Sequence, residues 1–158
     1  MLRRHRLPAL ACAGALAVLA CAPTFAAERA KPEFLNPPEA ATRGLPFSEA
    51  VRAGDFLFLS GMIGFDPATD KVVPGGIKAE ARRSLTLVQD ALKRNGSSLA
   101  DVVKCTVFLA DIAEWPAFNE VYIEFFKKPF PARSALAASG LARNARVEVE
   151  CIAYAPEK

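Results

Sequence analysis

The chain has 158 residues, of which 52% are hydrophobic and 23% charged, and its formal net charge is +3 at pH 7. This length suits one domain with a packed core. The small charge excess argues against a dedicated nucleic-acid-binding surface, and a single histidine leaves little room for histidine-based catalysis.

The first 26 residues have the pattern of a secretory signal peptide. A basic start is followed by an apolar run from Leu7 to Ala22, and Thr24-Phe25-Ala26 supplies a small-x-small cleavage site. The run is too short and too rich in alanine to favour a lasting transmembrane anchor. We therefore predict export to the periplasm, with no stable membrane span. An alternative is lipid anchoring through Cys21, since Val18-Leu19-Ala20-Cys21 loosely resembles a lipoprotein cleavage box.

Cleavage after residue 26 would change the chemistry available to the protein. Arg3, Arg4 and Arg6 are lost, so the 20 Lys and Arg become 17, which balances the 17 acidic residues. The only histidine, His5, is lost as well. A mature chain without histidine has no Ser–His or Cys–His couple and lacks the commonest zinc ligand. We predict no metal, no cofactor and no nucleic-acid partner.

Two cysteines remain in the mature chain, Cys105 and Cys151. An exported protein could join them in one disulfide. Both lie in strand-like runs, at alternating positions shared with valine and leucine, which favours two buried thiols instead.

Residues 27–44 are rich in proline, alanine and charge, and we predict a flexible lead before one domain over residues 45–156. Hydrophobic periodicity then gives the order β-β-α-β-α-β-β. The predicted elements are a short strand near 48–53, a strand over Phe56–Ile63, a helix from Ile77 to a stop at Asn95-Gly96, a strand over 101–111, a helix over 113–126, and strands over Arg133–Ala138 and Ala145–Ala155. This order predicts an α+β, two-layer domain with two helices on one face of a single mixed sheet.

The predicted sheet face opposite the helices is neither polar nor fully apolar. It combines large apolar groups with charges: Phe58, Ser60, Met62, Lys104, Thr106, Phe108, Arg146, Glu148, Glu150, Ile152 and Tyr154. Such a mixed face is typical of an association surface. We expect a closed homo-oligomer with ligand crevices at the subunit seams.

Arg133 stands at the start of a strand, behind Pro129 and Pro131, in the stretch PFPARS. The prolines restrict the backbone, so the guanidinium has a defined position suited to gripping a carboxylate. If the last two strands form a hairpin, Ala135 lies opposite Glu148, and Glu148 could place or deprotonate a water beside Arg133. The alternative is a structural Arg133–Glu148 ion pair.

Four other residues have both a functional and a structural interpretation. Ser60, before Gly61, could contact a ligand or be a hydrogen-bonded core hydroxyl. Asn119 could serve a site or face solvent, and Phe47 and Trp115 could simply pack.

The domain from Leu45 to Tyr154 closely resembles the RidA (YjgF-like) family of reactive-intermediate deaminases. The resemblance is carried by LPFSEAV, FLFLSGMIGFDPAT, RNGSSLADVVKCTVFLAD, FNEVYIEFF, PFPARSAL and VEVECIAY, in that order. It implies a chorismate-mutase-like fold, a homotrimer with sites at the subunit seams, and no cofactor.

The resemblance also implies roles for individual residues. Arg133 would hold the carboxylate of a small imino or enamino acid such as 2-iminopropanoate or 2-iminobutanoate, and Glu148 would position the attacking water. The backbone of Ala135 would contact this water or the substrate, and Ser60, Gly61 and Asn119 would bind substrate. Phe47 departs from the family pattern, because many deaminases carry tyrosine there.

Hydrolysis of a 2-imino acid to a 2-keto acid and ammonia needs an anchored carboxylate, a placed water and a route for protons. An arginine and a glutamate can supply these without histidine, metal or covalent nucleophile. Two alternatives remain: a non-catalytic small-carboxylate-binding or scaffold module of the same fold, and a deaminase acting on a different imine.

Overall fold

The structure is a computed structural model that describes residues 31–38 and 44–156. Its strands are β1 (Glu33–Leu35), β2 (Ala50–Ala53), β3 (Phe56–Leu59), β4 (Met62–Ile63), β5 (Phe65–Asp66), β6 (Lys71–Val72), β7 (Val102–Leu109), β8 (Ala132–Ala137) and β9 (Val147–Tyr154). Its helices are α1 (Gly76–Arg94) and α2 (Trp115–Phe125). The predicted signal peptide, with Cys21, lies outside the described residues. Within those two ranges, no helix is long and apolar enough to cross a membrane.

The main sheet has the order β1-β2-β3-β9-β7-β8, with β4 also pairing with β9. The β7–β8 pair is parallel and the other pairs are antiparallel, so the sheet is mixed, as predicted. A separate two-stranded sheet, β5–β6, was not predicted.

Both helices pack on one face of the main sheet and enclose the core. Leu85, Val88 and Leu92 of α1 are fully buried, as are Phe118 of α2 and Val149 of β9. The helix stop is where the sequence predicts it, since the Asn95 N–H bonds back to the α1 carbonyls and Gly96 has a φ of 74°. The predicted α+β, two-layer architecture is therefore confirmed.

The segment predicted to be a flexible lead contains a strand in its described part. Strand β1 pairs antiparallel with β2, and Phe34 is opposite Val51. The Asn36 side chain also accepts a hydrogen bond from the Glu49 N–H at 2.9 Å. The proline-rich composition favoured the prediction of a flexible segment. An edge strand can nevertheless form there, because edge strands tolerate neighbouring prolines.

The predicted strand over 56–63 is interrupted at Ser60 and Gly61. Phe58 lies opposite Ile152, but Met62 lies opposite Val149, so one extra residue has been inserted relative to β9. Such a bulge reverses the alternation of side chains beyond it. The prediction that Met62 shares the open face with Phe58 is therefore wrong, because Met62 packs against the core.

The predicted hairpin between the last two strands is also wrong. Strand β8 pairs in parallel with β7, with Ala135 beside Val107, and β7 separates it from β9. The reason is the β7–α2–β8 connection, since a helical crossover returns the chain parallel to the strand it left. Ala135 and Glu148 are therefore not cross-strand neighbours.

Cys105 and Cys151 form a disulfide between β7 and β9. Both are buried in the core, as expected, but the preference for two free thiols is wrong. The two residues are directly opposite in the antiparallel register, where side chains on the same face approach closely. A register that the sequence does not reveal thus brings the two sulfurs together.

Candidate functional site

Arg133 lies on the helix-facing side of edge strand β8, beside Cys105 in the register. Its guanidinium carbon is 4.5 Å from the centre of the Tyr122 ring, 5.8 Å from that of Phe118 and 5.9 Å from that of Trp115. These three rings occupy one face of α2 because their spacing follows the helical repeat. The arginine thus lies half-buried on an aromatic platform made by Trp115, Phe118 and Tyr122.

Arg133 has no hydrogen-bond or ion-pair partner among the residues that the structure describes. Stacking on aromatic rings stabilises a guanidinium through its face and leaves its N–H donors available in the plane. Burial raises the pKa of the Tyr122 phenol, while the charge of Arg133 opposes that rise. Tyr122 is therefore neutral at ordinary pH and does not neutralise the arginine. A fixed cation with free donors is suited to binding an anion with two oxygens.

Glu148 lies on β9, on the face away from the helices, opposite Phe108 of β7 and Ile63 of β4. Its carboxylate covers Gly61, where an added Cβ would lie only 1.8 Å from Oε1. Burial is the main cause that raises the pKa of Glu148, and the neighbouring charge of Glu150 adds to it. Within residues 31–38 and 44–156, no donor bonds to this carboxylate. The absence of a side chain at Gly61 therefore leaves the space in which the Glu148 carboxylate lies.

One protomer does not bring Arg133 and Glu148 into a single cavity. Arg133 is in register with Cys105, and Glu148 with Phe108, three residues further along β7. An odd separation places the two side chains on opposite faces of the sheet. Two half-sites result, one around Arg133 and one around Glu148.

The half-site around Glu148 includes Ser60 and the segment that carries Phe47. The Ser60 hydroxyl donates to the Ser48 carbonyl at 2.6 Å, and the Ser60 N–H donates to the Glu49 carbonyl at 2.9 Å. These bonds hold the bulge against residues 48–49. Phe47, just before them, leaves 56% of its surface exposed.

The half-site around Arg133 includes Asn119 and Ala135. Asn119 lines a shallow, open surface depression together with Trp115 and Ile112, and its Oδ1 atom is buried without a hydrogen-bond partner in the described part of the chain. Ala135 is half-buried against the core, two residues beyond Arg133 on the same face of β8. The structure thus divides the predicted site residues between two half-sites, whereas the sequence analysis placed them in one site.

The aromatic platform under Arg133 was not predicted as part of a site. The sequence predicts only that these residues lie in a helix over 113–126, and it favours packing for Trp115. The i, i+3, i+7 spacing of Trp115, Phe118 and Tyr122 was the available evidence. This spacing does not by itself indicate a ligand site, because any buried helix face has the same spacing.

Comparison with known proteins places the chain in a family. The sequence profile described as "Endoribonuclease L-PSP" matches residues 37–155. A protein of Capra hircus named 2-iminobutanoate/2-iminopropanoate deaminase is 44% identical over 108 residues, which cover 68% of this chain and 79% of the goat protein. The Homo sapiens protein of the same name is 40% identical over 108 residues, covering 68% and 79%. The chain belongs to the RidA (YjgF-like) family.

Solved structures of RidA-family proteins share the fold. RidA from the Antarctic bacterium Psychrobacter sp. PAMC 21119 matches with a TM-score of 0.67 at 35% identity, covering 70% of this chain and 89% of that one. Yeast Mmf1 matches with a TM-score of 0.70 at 35% identity, covering 79% and 99%. Both matches support the two-layer fold described above.

Proposed function

We propose that this protein hydrolyses small 2-imino acids, and the enamino acids in equilibrium with them, to 2-keto acids and ammonia without a cofactor. The observation that carries the proposal is Arg133, a half-buried cation held on three aromatic rings and without an anionic partner among residues 31–38 and 44–156. The names of the goat and human relatives supply the substrate class, 2-iminobutanoate and 2-iminopropanoate.

In the proposed reaction, Arg133 donates two hydrogen bonds to the substrate carboxylate and fixes C2 of the imine. A water oxygen attacks C2, the C=N electron pair moves to nitrogen, and Glu148 takes a proton from the water. Glu148 returns that proton to the nitrogen, which gives the carbinolamine, and then takes the proton of the carbinolamine hydroxyl group. Delivery of this second proton to the nitrogen lets the C–N bond break as the C=O bond forms, so that ammonia leaves and Glu148 is ionised again. Holding the reactants and one proton acceptor in place is sufficient, because the imine carbon is already electrophilic.

We further propose that the active unit is a homotrimer whose sites lie at the subunit seams. Arg133 and Glu148 are on opposite faces of one protomer, so a site that uses both needs residues from neighbouring chains. The open sheet face supports association, since it exposes Phe58 and Tyr154 on either side of an exposed Phe56 whose ring contacts both. A molecular mass in solution equal to one chain would contradict this assembly.

Export is part of the proposal. The signal-peptide pattern over residues 1–26 and the Cys105–Cys151 disulfide both suit an oxidising compartment such as the periplasm. Intact-mass analysis of the secreted protein tests this. Cleavage near Ala26 is the expected result, a lipid on Cys21 would show the anchored form, and an uncleaved cytoplasmic chain would refute export.

The deciding experiment is an imine-hydrolysis assay on the mature protein. An amino-acid oxidase supplies 2-iminopropanoate, and ammonia release is followed above the buffer rate. We expect Arg133→Ala to lose activity, whereas Arg82→Ala, which removes only an exposed ion pair with Glu124, keeps it. A wild-type rate no faster than buffer would overturn the deaminase proposal.

A second candidate is a non-catalytic module that binds small carboxylates. Phe47 favours it, because the ring at this position has no hydroxyl to offer a substrate. Thermal stabilisation by 2-keto acids that depends on Arg133, without imine turnover, is its distinguishing result. The description "Endoribonuclease" gains no support from charge, since the predicted mature chain is neutral.

A further inference from the structure

Arg146 connects the two half-sites within one protomer. It lies just before β9, two residues ahead of Glu148. Its guanidinium binds Glu114, the residue directly before Trp115, which is the first member of the aromatic platform. The Arg146–Glu114 ion pair thus lies outside both half-sites but adjoins a residue of each.

The main chain of Arg146 is fixed from two sides. Its N–H donates to the carboxylate of Glu80 on α1 at 2.7 Å, and its carbonyl accepts from the Ala110 N–H at 2.9 Å. Glu80 leaves only 5% of its surface exposed, so the first of these bonds lies in the interior. The Arg146 side chain therefore extends from a backbone whose position does not depend on the ion pair.

The start of α2 is held to the rest of the domain by this side chain. Nε of Arg146 lies 2.8 and 2.9 Å from the two carboxylate oxygens of Glu114, and Nη2 lies 2.5 Å from one of them. The other hydrogen bonds of residues 111–114 in the described part of the chain are local turn bonds, such as those that Asp111 accepts. A two-nitrogen contact between arginine and carboxylate fixes orientation as well as distance.

The start of α2 in turn determines where the aromatic platform lies under Arg133. Trp115 is the first residue of α2, and its ring centre is 5.9 Å from the guanidinium carbon of Arg133. Phe118 and Tyr122 follow along the same helix face. A shift or rotation at the start of the helix therefore moves the surface on which Arg133 lies, and with it the donors that Arg133 presents.

We propose that Arg146 is a positioning residue for ligand binding: its ion pair with Glu114 holds the start of α2, and with it the platform that fixes the Arg133 guanidinium. This inference rests on the proposed function for its ligand, a small 2-imino or 2-keto acid. It goes beyond that function in assigning a role to an ion pair outside both half-sites.

The test replaces Arg146 by methionine, which keeps an apolar stem and the main-chain N–H but removes the guanidinium. We expect KM for 2-iminopropanoate to rise about three- to tenfold and kcat to change by less than about twofold, because Arg133 is misplaced while Glu148 keeps its position. Loss of folded protein alone would give the opposite pattern, a lower kcat at an unchanged KM.

Two further variants separate the position of α2 from the charge of Glu114. Arg146→Lys keeps the positive charge and should recover only part of the KM, because an ammonium lacks the planar fork of a guanidinium. The double variant Arg146→Met/Glu114→Gln leaves no unpaired carboxylate and should still show the raised KM. A wild-type KM in the double variant would assign the effect to the unpaired charge and overturn the proposal.

Arg82→Met is the matched control. Arg82 makes the same two-nitrogen contact with Glu124 near the end of α2, at 3.0 and 2.6 Å, but it comes from α1 instead of the start of β9. This variant should keep the wild-type KM. An unchanged KM in Arg146→Met, an equal rise in Arg82→Met, or a fall in kcat alone would refute the role of Arg146.

A protein that hydrolyses no imine would refute the proposed function but would still test Arg146. The dissociation constant of pyruvate, measured by calorimetry, then replaces KM. Binding that is about three- to tenfold weaker in Arg146→Met and unchanged in Arg82→Met supports the inference. Equal binding by all three proteins, or no binding by the wild type, overturns it.

Discussion

Glu80 and Glu148 are two carboxylates with the same electrostatic character and different surroundings. Burial is the first cause that raises the pKa of each. Glu80, on α1, accepts a hydrogen bond from the Arg146 N–H at 2.7 Å, where the chain enters β9. Glu148, two residues further along, accepts none from any residue that the structure describes. A raised pKa alone therefore does not separate a structural carboxylate from one available for chemistry.

Arg146 and Arg133 repeat this contrast among the cations. The Arg146 Nε bonds to both carboxylate oxygens of Glu114, at 2.8 and 2.9 Å. Arg133 lies against the rings of the aromatic platform and has no hydrogen-bond or ion-pair partner among the described residues. The charged groups around Arg146 are hydrogen-bonded to one another, whereas each half-site keeps one charge without a partner in the described part of the chain. Accounting for hydrogen bonds, rather than charge or burial, thus identifies the candidate site.

The largest expected effect is on kcat, when the carboxylate of Glu148 is replaced by an amide. We expect Glu148→Gln to lower kcat by about 10²–10⁴-fold, because the amide cannot take the proton of the attacking water. Glu80→Gln keeps a carbonyl oxygen for the Arg146 N–H and should stay within severalfold of the wild-type kcat. Equal losses of kcat in the two variants would show that the difference in hydrogen bonding between Glu80 and Glu148 does not decide which carboxylate is catalytic.

A methyl group at Gly61 should produce the next largest effect. The added Cβ would lie 1.8 Å from Oε1 and 2.7 Å from Cδ of Glu148, so the carboxylate must move. A displacement on the order of 1 Å can cost about 10²-fold in rate, and we expect a loss of that size in kcat/KM.

Gly140→Ala is the control for this substitution, because nothing lies within 4 Å of a Cβ at Gly140. It should leave both activity and melting temperature unchanged. Full activity of Gly61→Ala would mean that the position of Glu148 over Gly61 is unimportant.

Removal of the Glu80 carboxylate should affect stability more than activity. Glu80→Ala leaves the Arg146 N–H without its acceptor, at a cost of about 1–3 kcal/mol in the free energy of unfolding. Glu80→Gln restores an acceptor and should recover most of that loss. Urea denaturation of the three proteins measures it, and an equal loss in both variants would assign the effect to charge instead of the hydrogen bond.

The helices and their faces could be predicted from the sequence because helical periodicity is a local property. Leu85, Val88 and Leu92 repeat at the spacing that buries them, and Gly96 stops α1 where expected. The position of Arg133 near the start of β8 was also predicted correctly, because Pro129 and Pro131 mark the start of that strand. These features depend on residues that are close together in the chain.

Features that depend on long-range register could not be predicted. The bulge at Ser60 and Gly61 changes the faces of Met62 and its neighbours, yet only the partner strand β9 reveals it. The Cys105–Cys151 disulfide likewise follows from the pairing of β7 with β9. The β7–α2–β8 crossover was predictable in principle, because a helix between two strands favours parallel pairing. The hairpin assumption overrode that evidence and placed Arg133 beside Glu148.

The smallest predicted effect is on the pH dependence of the reaction. Glu148 must be ionised to accept a proton, so kcat/KM should fall as the pH falls through its pKa. Burial first, and the charge of Glu150 second, raise that pKa above 4.5, which places the acid limb of the profile above the ordinary glutamate range. Glu150→Gln removes only the second cause. It should therefore move the acid limb to lower pH but leave it above the ordinary glutamate range, because burial remains.

Added salt provides an internal check on the same variant. Glu150 is exposed, so about 1 M salt, which shortens the screening length to about 3 Å, should reduce the difference between Glu150→Gln and wild type. The burial contribution is screened much less, and the wild-type limb should stay above the ordinary range. Glu120→Gln, an exposed change on α2, should not move the limb at any salt concentration. An acid limb that responds to Glu120→Gln as much as to Glu150→Gln would mean that Glu148 is not the titrating base.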